Sequence, residues 1–434
     1  MSKPARRTRE PKKVPGIENR ERKRRDGTIY WTFRVRWIDP TTGERRGEEF
    51  DDQAEAIDFK ATLRLAKRSG RLPDLSAGRM TLKEFAAEWW TTYAAVELER
   101  GTLKSYRPTY NLHILPRLGH LQLRQIDPAL VLRWRGALEA DGVGLPTVRK
   151  AMAILQSILA RAVEWGYIPT NAPKEVRKPT VPKAAVRPWP PLMVEQIIAA
   201  LHDDLSKALV ATLAYSGLRP EEALALQWQH VRKGTILVEQ KLVDGEIVTG
   251  QKTKKPPRTV DLLKPLAADL AAYRLAQPTA ALPTALVFPA LDGGPWPDHA
   301  YRNWRRRTFT PVTDSLVGRP TLRDVQKAKR MLTRAQDAGK PAAELTQLAQ
   351  VLAVLEQTRE QIPGIRPYDL RHSFASLLIH EGRHSVAQIA DQMGHSVQTL
   401  LSTYTHLINE LKDQPKVSAQ EQIEQAQAEI RSAA

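Results

Sequence analysis

Thirteen residues, RPYDLRHSFASLL (Arg366 to Leu378), bring a phenol, a guanidinium and an imidazole within five positions of one another. At 100° per residue, Tyr368, Arg371, His372 and Ala375 collect on one side of a helix. Leu370, Phe374, Leu377 and Leu378 form the i, i+4, i+7, i+8 stripe that a core would cover. A guanidinium can hold an oxyanion and an imidazole can move a proton near neutral pH. Polar residues opposite an apolar stripe are ordinarily a solvated face, so this helix alone decides nothing.

Other stretches carry the same kinds of group. In YSGLRPEEALAL, Pro220 suits the first position of a helix, and Glu221 and Glu222 follow where carboxylates favour the macrodipole. The cap is then Arg219, where Ser or Asp would be expected. Helix N-termini bind phosphate and a guanidinium adds a bidentate fork, so Arg219 reads as an anion ligand with Glu222 as its buttress. GQKTKKPPRTV places Lys252, Lys254 and Lys255 in an expected hairpin turn; such basic tips commonly touch only solvent or DNA backbone. In QMGHSVQTLLSTYTHL, Gly394 ends one helix, His395 stands just beyond it, and Val397, Leu400, Leu401 and Tyr404 have helical spacing. Taken alone, Tyr404 reads as a core residue.

Composition bounds the partner. The 434 residues exceed one ordinary core, so two or three domains are expected. Sixty-six Lys+Arg against 48 Asp+Glu leave +18, which makes a polyanion, above all nucleic acid, the expected partner. No cysteine is present, so disulfides and thiolate chemistry are excluded. The ten histidines show no HExxH or comparable spacing, and neither a metal nor another cofactor is expected. No apolar run is long enough to span a bilayer and the N-terminus lacks an apolar signal segment, giving a cytoplasmic, non-membrane expectation.

The elements that must position these groups fall into blocks. Residues 1–15 read as a basic disordered tail. In TIYWTFRVRWID, Trp31, Phe33, Val35 and Trp37 alternate with Tyr30, Thr32, Arg34 and Arg36, the signature of a half-buried strand. With turn residues on both sides and a capped helix after it, residues 16–72 read as a three-stranded sheet covered by one helix. Its open face, carrying Arg34 and Arg36, would suit the major groove of DNA. Residues 80–178 are helical throughout and predict a bundle; 179–191, rich in Pro, Lys and Arg, predict a linker. A mixed α+β domain over 192–412 carries the sites, interrupted at 321–362 by two charged helices that suggest a hairpin. The Gln-, Glu- and Ala-rich residues 413–434 read as a tail or a helix with little core to join.

Together the motifs resemble the tyrosine recombinase family, the phage-type integrases. The resemblance rests on GLRPEEAL with Arg219, QKTKKPPRTV with Lys252, YDLRHSFASLL with Arg371, MGH with His395, and TYTH with Tyr404 nine residues after that histidine. It covers nearly the whole chain and implies an arm-binding sheet domain, a helical core-binding domain and a catalytic domain. It also implies DNA strand transfer through a 3′-phosphotyrosine at Tyr404. Arg219 and Arg371 would clamp the phosphate, Lys252 would serve the leaving oxygen and His395 would assist. The family usually has histidine where this chain has Tyr368, so a phenol would donate where an imidazole ordinarily does.

The implied partners are double-stranded DNA at core and arm sites, a homotetramer in the synapse, and DNA-bending or directionality factors. The extra N-terminal domain points to the integrase of a phage or mobile element. Two other readings keep the charge: a catalytically silent DNA-binding regulator, and a type IB topoisomerase-like enzyme that shares the phosphotyrosine chemistry.

Overall fold

The computed structural model describes residues 11–24, 27–38, 45–68, 77–182, 186, 188–249, 257–277, 282–411 and 414–433. The chain divides into two compact units, Met1–Pro182 and Lys183–Ala434. The expected tail falls mostly on residues 1–10, outside the described residues, as do Lys252, Lys254 and Lys255.

The first unit begins with β1 (Ile17–Lys23), β2 (Ile29–Ile38) and β3 (Arg45–Phe50), an antiparallel sheet in that order. The alternation in β2 sends Phe33 and Val35 into a small core shared with Ala56 and Leu63 of helix α1 (Gln53–Arg68). Phe59 of α1 packs on Trp37 and Phe50, with ring centroids 5.4 and 4.9 Å apart. On the opposite face the register sets Glu18 and Glu49 on either side of Arg34. Arg36 is 3.0 Å from Glu18, and Arg22 is 2.8 Å from Glu49.

The bundle of the same unit comprises α2 (Leu82–Trp89), α3 (Ala95–Glu97), α4 (Arg100–Thr109), α5 (Leu115–Leu118), α6 (Pro128–Ala140), α7 (Leu145–Glu164) and α8 (Ala172–Glu175). Thr81 and Asp127 cap α2 and α6 by accepting backbone N–H groups, as short polar side chains at these positions do. Phe85, Trp89, Ile114, Val131, Leu138, Leu155 and Ile158 fill the core. Two wide π turns, Trp90–Ala94 and Tyr110–Ile114, interrupt the helices, and a third, Arg305–Phe309, lies in the second unit. Pro116 and Pro311 follow two of them by two residues. A proline ring clashes with the carbonyl four residues back, and a widened turn relieves that clash.

In the second unit α9 (Pro191–Ala200) leads to α10 (Asp204–Ser216), whose residues from Ala208 onward are all buried. A helix apolar on every side belongs at the centre of a domain. After α11 (Pro220–Ala223) come β4 (Val231–Arg232), β5 (Thr235–Val238), β6 (Gln240–Val243), β7 (Glu246–Thr249) and β8 (Arg258–Asp261). Strands β4, β5 and β8 form one small sheet, while β6 and β7 form a separate hairpin that turns at Asp244 and Gly245. Helices α12 (Lys264–Leu275), α13 (Asp298–Trp304) and α14 (Thr310–Leu316) follow.

Residues 321–362 form a helical hairpin of α15 (Leu322–Asp337) and α16 (Ala342–Gln361). Its base is clamped by Asp314, which is 1% exposed and accepts from Arg319 Nη1 at 3.0 Å and Arg359 Nη1 at 2.8 Å. Arg319 Nε also donates to the carbonyl of Ile362 at 2.8 Å, tying the two ends of the hairpin together.

The remaining helices are α17 (Pro367–Glu381), α18 (Val386–Gln392), α19 (Val397–Glu410) and α20 (Ala419–Ala433). Leu370, Phe374, Leu377 and Leu378 are buried against the central core, α17 packing on α10. Two expectations are corrected here. The C-terminal helix does have a core to join: Ala419, Ile423 and Ala426 are buried, and α20 packs on α9, α12 and α17. The apolar surface it needs is supplied by α9, more than 200 residues upstream. In α19 the buried stripe is Leu400, Tyr404 and Leu407, whereas Val397 and Leu401 are exposed. Val397 stands at the first turn, and Leu401 lies about 100° round the helix from Leu400.

Candidate active site

The site forms where two turns between helices, α10–α11 and α18–α19, meet the first turns of α17. Gly217 ends α10 in the left-handed region at φ 62°. A Cβ there would meet Phe374 Cδ1 at 2.5 Å, so glycine alone fits both the turn and the close approach of α17. Gly394 ends α18 in the same way at φ 59°, with a Cβ position 3.2 Å from the Arg258 guanidinium. These two turns present the carbonyls that hold the arginines.

Arg371 is fully buried, so it does not belong to a solvated helix face. It donates through Nη1 to the Gly217 carbonyl and through Nη2 to the Met393 carbonyl and to His395 Nε2, the last at 3.2 Å. Its Nε has no hydrogen-bond partner among the described residues. Arg219 caps α11 from a β conformation. Its Nη1 donates to Glu222 Oε1 at 2.7 Å and its Nη2 to the Gly394 carbonyl at 3.1 Å.

Glu222 is the hub. It accepts from Arg219 and, in a bidentate pair at 2.9 and 2.6 Å, from Arg258, and it lies 4.0 Å from Arg371. Arg258 also donates from Nε to the Gln392 carbonyl at 2.9 Å. Three guanidiniums thus share one carboxylate, leaving an excess of two positive charges in a largely buried site. Burial works against the charged form of Glu222, but the Arg258 hydrogen bonds and the surrounding guanidiniums win, holding it down to about 2. Burial and repulsion from Arg219 and Arg258 push Arg371 down to about 10, still protonated at neutral pH. Such a site is completed by an oxyanion.

His395 is pushed down to about 3 by burial and by Arg371 and Arg219, so its imidazole is neutral and its Nε2 lone pair accepts from Arg371. His372 is lowered by burial, with Arg371 adding to the effect and Asp369 opposing it. Tyr404 is fully buried, and burial raises its phenol above the ordinary tyrosine value. The Tyr404 hydroxyl lies 2.5 Å from His372 Nδ1, a geometry in which a neutral imidazole accepts the phenolic proton. Tyr368 sits at the rim, 39% exposed, its ring edge-on to His372 at 5.9 Å.

The fold therefore gathers Arg219, Glu222, Arg371, His372, His395 and Tyr404, with Tyr368 beside them. Lys252, Lys254 and Lys255 lie outside the described residues, and Arg34 and Arg36 belong to the other unit. Arg258 was not singled out from the sequence. The signal that could have found it is its place in RTVDLL: Arg258 and Val260 alternate inward on β8, and an arginine at an inward strand position needs a buried partner.

The chain resembles known proteins along most of its length. Residues 81–138 match the family described as "Phage integrase, N-terminal SAM-like domain". The ICEBs1 integrase of Bacillus subtilis is 24% identical over 384 residues, covering 85% of this chain and 91% of that protein. Tyrosine recombinase XerC of a Methylobacterium species is 27% identical over 243 residues, covering 51% of this chain and 72% of that protein. In fold the chain is similar to a lambda integrase dimer bound to a COC′ core site, with a TM-score of 0.50 at 14% identity over 93% of this chain and 96% of that one. It is similar also to the Tn1549 transposon integrase in complex with transposon right end DNA, with a TM-score of 0.50 at 16% identity over 82% of this chain and 100% of that one.

Proposed function

We propose that this chain, a member of the tyrosine recombinase family, is the integrase of a phage or integrative mobile element, cutting and rejoining DNA at specific sites. One observation carries the assignment of its site: three guanidiniums around a single carboxylate, next to a tyrosine already hydrogen-bonded to a neutral imidazole.

In this reading the scissile phosphate supplies the missing negative charge, with Arg219 and Arg371 holding its nonbridging oxygens as charge grows in the transition state. Glu222 and Arg258 act through these two, keeping the guanidiniums in place. Tyr404 Oη attacks phosphorus, its proton passing to His372 Nδ1. The bond to the 5′-oxygen breaks, and Lys252 delivers a proton to that leaving oxygen. His395, neutral, orients Arg371 and the phosphate. A 5′-hydroxyl of the partner duplex then reverses the step, so one phosphodiester is exchanged for another.

The sheet of residues 16–72 would bind arm-type DNA through Arg34 and Arg36, with Lys254 and Lys255 adding backbone contacts near the core site. Residues 80–178 would bind the core site and 192–412 would carry out catalysis. Joining two duplexes by this chemistry calls for four protomers on DNA, with bending or directionality factors as accessories, acting on the DNA of the cytoplasm or nucleoid. No helix among the described residues is long and apolar enough to cross a membrane.

The test is a nicked suicide duplex carrying the attachment core. The wild-type protein should yield an SDS-stable adduct that Tyr404→Phe abolishes while binding stays within a few-fold. No adduct from the wild type would leave the regulator reading, and relaxation without joining of two duplexes would leave the topoisomerase reading.

A further inference from the structure

Helix α15 of the clamped hairpin has the sequence LRDVQKAKRMLTRAQD, with five cations and two carboxylates. Its packing stripe is Val325, Ala328, Leu332 and Ala335, spaced i, i+3, i+7, i+10, three of them buried. The facing helix α16 has no fully buried residue and keeps Leu345, Leu348, Leu352 and Leu355 half-buried at the same spacing. Lys329, on the flank of α15, is taken up by Glu356 of α16 at 2.8 Å.

The other four cations behave differently. Arg323, Lys327, Arg330 and Arg334 stand at i, i+4, i+7 and i+11, within an arc of roughly 60° on the side opposite the packing stripe. All four are exposed, and none has a carboxylate within salt-bridge distance among the described residues. They make a cationic line about 16 Å long. At the foot of the hairpin Arg323 joins Arg306 and Arg307 in lining a groove whose other walls include Thr310, Thr321 and Gln326. Asp314 also lines this groove, but it is already engaged by Arg319 and Arg359.

A helix needs only its packing stripe and a polar outer face to be soluble, and mixed charges would serve that end. Asp324 is bound to the Thr321 cap, and exposed Asp337 lies one turn past the end of the line. Four cations thus run without a free carboxylate between them on a hairpin whose base is fastened by buried ion pairs, which matches a partner with closely spaced negative charge. Double-stranded DNA offers one charge per ~1.7 Å of axis. We infer that the α15 face is an additional DNA-backbone contact of this integrase, engaging duplex phosphates without reading sequence. The inference rests on the recombinase reading above for the presence of DNA.

The experiment measures binding to a random-sequence duplex as a function of salt, comparing the wild type with the quadruple variant R323Q/K327Q/R330Q/R334Q and the charge-keeping variant R323K/K327R/R330K/R334K. The slope of log K against log salt should be shallower by up to about 3.6 in the glutamine variant, since each of four neutralised phosphates contributes about 0.9. The charge-keeping variant should retain the wild-type slope. An unchanged slope in the glutamine variant overturns the proposal and leaves the stripe to another polyanion, such as an acidic protein. An equal loss in the charge-keeping variant also overturns it, because the helix and not its charge would then be responsible. Failure of the recombinase reading would show separately, as the absence of an SDS-stable adduct from the unaltered protein.

Discussion

The Tyr404 hydroxyl and His372 Nδ1 are 2.5 Å apart, with the phenol raised and the imidazole lowered from their ordinary values by burial. Both shifts favour the neutral pair, proton on tyrosine and lone pair on histidine. As the proposed base, His372 would work in its neutral form, so cleavage should be level through neutral pH and fall only as pH drops below the ordinary imidazole range. His372→Ala should slow single-turnover cleavage by about 10²- to 10⁴-fold and remove that acid limb. His372→Asn separates base from spacer: a near wild-type rate with Asn, whose amide can hydrogen-bond the phenol but cannot take up its proton, would mean that His372 merely positions Tyr404.

Arg219→Ala or Arg371→Ala should each cost on the order of 10²-fold or more in cleavage rate, the usual loss on removing one preorganised charge donor. Losses of tenfold or less for both would sink the phosphate clamp. Arg258→Ala should differ in kind. Its pair with Glu222 is 4% and 6% exposed, and breaking a buried pair typically costs about 3–5 kcal/mol of stability. Denaturant melts should register that loss, and an unfolding free energy unchanged from wild type would remove Arg258 from the framework.

The share of this site legible in the sequence follows the distance over which its parts interact. Arg219 and Glu222 sit three residues apart at a helix start, and their pairing was readable from cap chemistry alone. Arg371 beside His372 was readable as a cluster, but not its burial. That depends on the Gly217 carbonyl 154 residues away and the Met393 carbonyl 22 residues away, which no local pattern encodes. Arg258 reaches Glu222 across 36 residues and looked like one more cation in a basic stretch. For the same reason α20 looked unpartnered: its stripe is visible, while the surface it needs belongs to α9.

Tyr368 departs from the family's usual residue and is an exposed side chain at the rim of the site. Bonded to the phosphate, its hydroxyl would contribute roughly 1.5–3 kcal/mol, so Tyr368→Phe should slow cleavage about 10- to 150-fold and Tyr368→His should restore much of the rate. Single-turnover cleavage of a nicked core site decides. A Phe rate within twofold of wild type leaves only the ring packing against His372.

Arg34→Ala with Arg36→Ala should weaken binding to arm DNA while sparing cleavage of a short core substrate, since both arginines lie on the three-stranded sheet and not on the helical bundle or among the site residues. Arg36 is held 3.0 Å from Glu18, so DNA must displace a carboxylate to engage it. Gel shifts on arm duplexes and suicide cleavage on core duplexes should therefore separate. An equal fall in both would assign the sheet to the core clamp.

Glu195, 7% exposed, accepts from the Tyr215 hydroxyl at 2.7 Å, and burial pushes it up to about 7. An acid whose folded value exceeds its unfolded value of 4.5 binds its proton more tightly when folded. The protein should therefore lose stability as pH rises from about 4.5 to 7, by at most about 3 kcal/mol, and level off above that. Glu195→Gln should flatten this slope, gaining stability relative to wild type at pH 8 but not at pH 5. Parallel melting curves for the two proteins at both pH values would show that Glu195 is already ionised in the fold.

The complete burial of Tyr404 has a consequence for how the enzyme behaves between encounters. If Tyr404 is the nucleophile proposed above, its burial and its hydrogen bond to His372 keep it from water and from stray phosphate esters. A scissile phosphate would then reach it only if the surrounding residues gave way, so the arrival of the duplex itself would be the trigger.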